Sequence, residues 1–133
     1  SLSFHLFTQR NMSWQAYADQ ITQQGIANAA LYGLDNAAEW AKSANNTGTS
    51  AEIQKILQHM SSQGTGRFTY GGRDFITLRN DGNVLYGKLG ADGITCAKSG
   101  KALVVGVYDK NSQPGQCNNA VENMSNYLVE NGY

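Results

Sequence analysis

Residues 64–108 carry the pattern that most restricts the fold of this chain. Apolar and polar residues alternate there with a period of two, and turn residues interrupt the alternation at short intervals. The pattern predicts five strands joined by four hairpins. The strands cover about residues 66–70, 73–79, 84–88, 94–98 and 101–108. Because connections this short cannot cross over a sheet, the strands must pair antiparallel, and the nearly all-apolar last strand is placed centrally.

A helix is predicted over residues 13–24, before this region. Ser13 is a suitable N-cap, and Trp14, Tyr17 and Ile21 fall on one face of the helix. Met12 and Tyr17 have the spacing of a hydrophobic staple around that cap.

Two more helices are predicted further along the chain. Thr49 and Glu52 have the spacing of a capping box at the start of a helix over residues 50–61. Pro114 opens a last helix over about residues 115–131, whose apolar residues recur every three or four positions. Two short Ala-rich strands, 26–33 and 38–42, lie between the first and second helices.

This order of elements predicts an α+β fold built on a central antiparallel sheet. The length of 133 residues suits one domain, which we assign to residues 12–133. Residues 1–11 do not match the pattern that follows and are interpreted as an expression remnant or an upstream extension, with Met12 as the natural initiator. A net charge of zero argues against a nucleic-acid binder, and no apolar run of about 18 residues occurs.

The sequence offers no persuasive catalytic or metal site. His59 is expected on the solvated side of the second helix, and Cys117 is expected to pack inside the last one. Neither Cys96 nor Cys117 lies in a CxxC motif, so both are interpreted as free thiols in a reducing compartment, although a single disulfide remains an alternative. No carboxylate pair and no cluster of His, Cys, Asp and Glu has a convincing spacing, so no cofactor is expected.

Charge and aromatic residues indicate binding surfaces instead. Residues 67–110 contain seven basic and four acidic side chains, which suits an acidic partner, although an ordinary solvated face is an alternative. Aromatic residues on the first and last helices could form one patch if these helices lie side by side; ordinary core packing is the alternative. Tyr and Trp flanked by Gln, Asn and Ser are typical of a half-exposed ledge that binds polyproline II helices.

Four segments of the chain resemble the profilin family. They are MSWQAY at 12–17, AEWAKS at 38–43, YGKLGADGI at 86–94 and PGQCNNAVENMSNYLVENGY at 114–133. The resemblance covers residues 12–133 and is closer to plant and amoebal members than to vertebrate ones. It implies terminal helices on one face of the sheet and a further helix on the other. It also implies a cytoplasmic, cytoskeleton-associated protein that is not an enzyme and that regulates actin polymerisation.

The resemblance assigns two sets of site residues. The proline-binding ledge is expected at Trp14, Tyr17, Trp40, Tyr127, Leu128 and Tyr133, and the actin-binding face at Arg79, Lys88, Lys98, Gly115, Asn118 and Glu122. The implied partners are monomeric actin and proline-rich proteins such as formin-like actin nucleators. Phosphoinositide binding is expected to be weak, because the last helix has no basic residue. A membrane phosphoinositide-binding module and a small-molecule enzyme on a similar fold are the alternative functions.

Overall fold

One antiparallel sheet of seven strands forms the centre of the computed structural model, which describes residues 14–133. The strands are β1 Asn28–Gly33, β2 Glu39–Lys42, β3 Arg67–Tyr70, β4 Arg73–Asn80, β5 Val84–Leu89, β6 Asp92–Lys98 and β7 Ala102–Tyr108. Their spatial order is β2-β1-β7-β6-β5-β4-β3, and every neighbouring pair is antiparallel. The five-strand meander predicted from the sequence is confirmed, and its apolar last strand lies inside the sheet between β1 and β6.

Three helical segments cover the two faces of this sheet: α1 at residues 14–22, α2 at Ser50–Ser61 and α3 at Pro114–Glu130. Leu31 and Val104 point toward α1 and α3 and share one buried cluster with them. Their neighbours Tyr32 and Val105 point to the opposite face and share a second cluster with α2. This alternation confirms the α+β arrangement, with the terminal helices on one face and the middle helix on the other.

The first helix ends earlier than predicted. Its regular turns stop at residue 22, and residues 23–25 form a turn in which the Gly25 amide bonds to the Thr22 carbonyl at 3.1 Å. Gly25 has a φ of +89°, which favours glycine and ends the helix. The predicted Ser13 cap and the staple that includes Met12 lie outside the described residues.

The predicted capping box at the start of α2 is present and reaches further than the helix. Thr49 and Glu52 bond reciprocally to each other's backbone amides. The Glu52 carboxylate also accepts bonds of 2.9 Å from the amides of Gly71 and Gly72. These two glycines have φ values of +63° and +74° and form the β3–β4 turn. Glu52 therefore fastens this hairpin to the N-terminus of α2.

A buried chain of hydrogen bonds connects β1 and β3, which lie toward opposite ends of the strand order, to the loop before α2. The hydroxyls of Tyr32 and Tyr70 are 2.9 Å apart, and the Tyr70 hydroxyl donates to Asn46 Oδ1 at 2.8 Å. Gly48 donates its amide to the same oxygen and leaves room for the Tyr70 ring, because a Cβ at Gly48 would lie 2.0 Å from Tyr70 Cζ. Burial raises the pKa of Tyr32 to about 12 and also raises the pKa of Tyr70.

These two tyrosines predict a loss of stability at alkaline pH. Tyrosine in an unfolded chain ionises near pH 10, so a raised folded-state pKa favours the neutral form in the folded protein. The stabilisation is complete below about pH 10 and is lost as the pH rises toward 12. We expect the free energy of unfolding, measured in urea from pH 8 to 12, to fall above pH 10. This expectation would be contradicted if absorbance at 295 nm showed that every tyrosine ionises near pH 10 while the protein stays folded.

Candidate functional site

Five aromatic side chains form one continuous surface, called here the aromatic ledge: Trp14, Tyr17, Trp40, Tyr127 and Tyr133. The ring centroid of Trp14 lies 4.5 Å from that of Trp40, 5.0 Å from Tyr133 and 5.8 Å from Tyr17. Tyr17 continues the surface to Tyr127, at 5.5 Å. The structure therefore brings together aromatic residues from α1, β2, α3 and the end of the chain. From the residues alone, a shared patch on the two terminal helices was one of two alternatives, and Trp40 was assigned only through the family resemblance.

The ledge is partly exposed rather than buried in the core. Trp14, Trp40, Tyr127 and Tyr133 are half-buried, and Tyr17 is 9% exposed. Within residues 14–133, no hydrogen bond occupies the indole N–H groups of Trp14 and Trp40 or the hydroxyls of Tyr127 and Tyr133. These donors are available to a ligand. Leu128 has no exposed surface, so it supports the ledge from below and offers no surface for contact.

Two neighbours that the sequence did not single out fix Tyr133 in the ledge. Its carbonyl accepts a 2.8 Å bond from the Ser99 hydroxyl and another from the amide of Lys101, in the turn between β6 and β7. The Lys101 ammonium lies 5.9 Å from the centre of the Tyr133 ring. Local pattern could not indicate these contacts, because they join residues more than thirty positions apart.

A second surface lies where the sheet extends beyond α3, on the outer face of β4 and β5. Arg79 pairs with Tyr86 and Ile76 pairs with Lys88, so these four side chains share a face. Arg79 also bonds to Asp81 at 3.1 Å and lies 5.5 Å from the Tyr86 ring centroid. Ile76 and the neighbouring Leu78 are 47% and 60% exposed. The sequence predicted the two cations but missed this pair of exposed aliphatic residues.

The side chains of α3 border this second surface. Glu122 accepts a hydrogen bond from the Tyr86 hydroxyl, and Asn118 accepts one from Thr95 at 2.6 Å. Gly115 is exposed in the first turn of α3, and Lys98 lines a hollow of about 280 Å³ together with Glu122. Burial and, to a smaller extent, the hydrogen bond to Glu122 raise the pKa of Tyr86 to about 12. A partly basic, partly apolar face therefore runs from β4 to the first half of α3.

The environment of His59 differs from the sequence prediction. The predicted solvated position is wrong, because His59 is half-buried and its Nε2 lies 2.9 Å from the Thr77 hydroxyl. Its ring lies 5.5 Å from that of Phe68, at one end of an open groove between α2 and β3. The error arose because helical periodicity shows which side of α2 is polar but not how closely β4 approaches that side.

Both cysteines are buried and free, as predicted, so the alternative of a single disulfide is excluded. Burial raises the pKa of the Cys117 thiol to about 11, which suits packing rather than nucleophilic chemistry. Over residues 14–133, no three side chains of His, Cys, Asp and Glu are grouped so that they could hold a metal ion. In the same part of the chain, no helix has the length and apolarity needed to cross a membrane.

Comparison with known proteins gives one family. A family model described as Profilin matches residues 12–133. The structure is similar to that of Acanthamoeba castellanii profilin IB, with 34% sequence identity, a TM-score of 0.83, and coverage of 90% of this chain and 99% of the other.

Two more distant structures share the fold and were solved with partners. Mouse profilin IIa, in complex with a double repeat from the FH1 domain of mDia1, has 24% identity and a TM-score of 0.71 over 90% of this chain and 99% of its own. A chain of the LokiProfilin2–rabbit actin complex has 12% identity and a TM-score of 0.73 over 86% and 94%. The higher identity to the amoebal protein than to the mouse protein confirms the amoebal part of the sequence prediction.

Proposed function

The chain belongs to the profilin family, and on this basis we propose that it binds monomeric actin and proline-rich segments on two separate surfaces. Through these contacts it regulates actin polymerisation as a cytoplasmic, cytoskeleton-associated binding protein rather than an enzyme. The observation that carries the proposal is the continuous aromatic ledge, in which the indole N–H groups of Trp14 and Trp40 and the hydroxyls of Tyr127 and Tyr133 have no hydrogen-bond partner among residues 14–133.

The aromatic ledge has the chemistry that a polyproline II helix requires. Proline rings pack on the flat faces of Trp and Tyr, and the ligand carbonyls, which have no internal partners, accept bonds from the free donors. Trp14 is central because it contacts Trp40, Tyr17 and Tyr133. Trp40 lies against Gly33, where a Cβ would be 3.0 Å from its Nε1, so glycine permits this close packing. Proline-rich proteins such as formin-like actin nucleators are the proposed partners.

The second surface suits a large acidic protein such as actin. It combines the basic Arg79 and Lys88 with the exposed aliphatic side chains of Ile76 and Leu78. Exposed apolar groups provide contact area, whereas the cations guide association and orientation. Gly115, Asn118, Glu122 and Lys98 complete the proposed contact set along α3 and the end of β6.

The geometry of α3 supports two independent surfaces. Asn118 borders the second surface, and Tyr127, nine positions further along the helix, belongs to the aromatic ledge. At about 100° per residue, this separation places them on opposite sides of the helix axis. A ligand bound to one surface is therefore expected to leave the other surface accessible.

The alternatives receive less support from the described residues. Helix α3 contains Glu122 and Glu130 but no basic residue, so phosphoinositide binding is expected to be weak. An enzyme would need a nucleophile or a positioned acid–base pair. The Cys117 thiol is buried, and the Glu52 carboxylate near His59 is engaged by three backbone amides.

Intrinsic tryptophan fluorescence during titration with decaproline tests the proposal. Both tryptophans lie in the aromatic ledge, so a saturable change in emission is expected, both in the full chain and after removal of residues 1–11. Binding that appears only after the removal would mean that this segment obstructs the ledge. An unchanged signal in both proteins, together with no heat of binding in calorimetry, would contradict the proline-binding function.

A further inference from the structure

The edge of the sheet at β3 is bordered by a groove that neither proposed surface uses. The groove has a volume of about 380 Å³ and lies between α2 and β3. Strand β3 pairs with β4 on one side only, so its other side is a free sheet edge. Such an edge is a template for an additional strand.

The register shows which backbone groups face this groove. The turn Gly71-Gly72 makes Tyr70 and Arg73 a hydrogen-bonded pair, and the bond of 2.8 Å from the Thr77 amide to the Gly66 carbonyl continues the same series. In an antiparallel pair the alternate residues, here Arg67 and Thr69, direct their amides and carbonyls away from β4. No side chain of residues 14–133 forms a hydrogen bond with these outward-facing amides and carbonyls.

The side chains around this edge indicate the chemistry of a ligand. Buried Ile56 and Phe68 form an apolar floor, and the exposed cations Lys55 and Arg67 flank it without an ion pair to any described residue. The acidic groups nearby are already engaged: Glu52 bonds to three backbone amides, and Asp74 accepts a 2.6 Å bond from the Thr69 hydroxyl. The two charged side chains of the groove that have no partner among the described residues are therefore both cations.

The opposite edge of the sheet does not offer the same site. There, Gln15 of α1 donates to the Lys42 carbonyl at 3.1 Å, and Trp40 packs against Trp14. A second copy of this chain is also a poor occupant of the β3 edge, because an antiparallel β3–β3 pair centred on Phe68 would place Arg67 opposite Thr69 and give neither Arg67 nor Lys55 an acidic partner. A segment with acidic side chains provides both cations with an opposite charge.

We propose that the β3 edge and the adjoining groove bind an extended acidic peptide segment as an eighth, antiparallel strand. The segment places an apolar side chain opposite Phe68, over the floor formed with Ile56. An acidic side chain lies opposite Arg67, and a second acidic side chain extends toward Lys55. Backbone bonds to Arg67 and Thr69 hold the segment, and the charges select it.

The probe is the peptide acetyl-Gly-Thr-Val-Glu-Glu-Gly-amide, titrated into the ¹⁵N-labelled full chain and followed by NMR. Its valine is intended to lie opposite Phe68 and its first glutamate opposite Arg67. We expect saturable shifts of the Arg67 and Thr69 amides, and at least tenfold weaker binding when both glutamates are replaced by lysine. Methylation of the first glutamate's backbone nitrogen removes a bond to β3 and should abolish binding. Methylation of the valine backbone nitrogen, whose N–H points away from β3, should leave binding unchanged.

A charge variant tests the same site from the protein side. Arg67→Glu is expected to weaken peptide binding at least fivefold, because its exposed side chain would then repel the peptide's glutamate. Lys110→Glu makes the same charge change at an exposed position outside the groove and should bind normally. The decaproline response of both variants reports that they are folded.

Several outcomes would overturn the proposal. These are no saturable shift at Arg67 and Thr69, equal binding of the lysine peptide, and equal effects of the two methylations. Binding of phosphatidylserine vesicles without binding of the peptide would also overturn it and would indicate a lipid surface. None of these results bears on the aromatic ledge, so the proposed function is tested separately.

Discussion

Replacing Trp14 with alanine is expected to weaken decaproline binding by about thirtyfold or more, which corresponds to about 2 kcal/mol. The indole of Trp14 contacts three of the other four rings of the aromatic ledge, so its loss removes both the central stacking face and the support of its neighbours. Calorimetric titration with decaproline measures the change.

The matching expectation is that Trp14→Ala retains actin binding, because Trp14 does not contribute to the face formed by β4, β5 and α3. Urea unfolding serves as the control for an intact fold. A folded variant that binds decaproline as tightly as the unaltered protein would contradict the assignment of the ledge. A folded variant that loses both ligands would contradict the separation of the two surfaces.

Replacing Lys88 with glutamate is expected to weaken actin binding at least tenfold, mainly through a slower association rate. Lys88 is exposed beside Ile76 on the second surface, and a carboxylate there would repel an acidic partner. Stopped-flow mixing with labelled monomeric actin at low and high salt measures both the rate and its dependence on charge.

The control for this charge reversal is Lys55→Glu, which makes the same change on α2, on the other face of the sheet. The association rate of this variant with actin is expected to stay within about twofold of that of the unaltered protein, since distant exposed charges are screened. Equal slowing by the two variants would mean that only net charge matters and would contradict a specific actin face. Decaproline binding should be unchanged by Lys88→Glu.

The parts of the fold that the sequence predicted are those encoded by residues close together in the chain. The Thr49–Glu52 capping box involves four consecutive residues, and each hairpin of the meander has its turn residues between its own strands. The pairing of β1 with β7 is different, because about half of the chain lies between these strands. No local pattern specifies it, and it depends on which apolar faces fit together.

The candidate site also combines features encoded by nearby residues with contacts between residues far apart in the chain. Helical spacing predicted that Trp14 and Tyr17 share a face, but the approach of Trp40 depends on the β1–β2 pairing and on Gly33. The ledge was therefore assigned in full only through the family resemblance. The exposure of Ile76 and Leu78 was not predicted from the sequence. Alternation of apolar and polar residues indicates that a strand has two faces, but it does not indicate that one of them lies beyond α3 and stays uncovered.

The affinity for monomeric actin, measured with and without saturating decaproline, tests directly whether the two surfaces are independent. Two independent surfaces, separated by opposite sides of α3, predict an actin affinity that is unchanged within about twofold and a complex that contains all three components. Analytical ultracentrifugation with labelled decaproline detects that complex. Displacement of decaproline by actin, or a loss of actin affinity as decaproline saturates, would show overlapping sites and contradict binding on two separate surfaces.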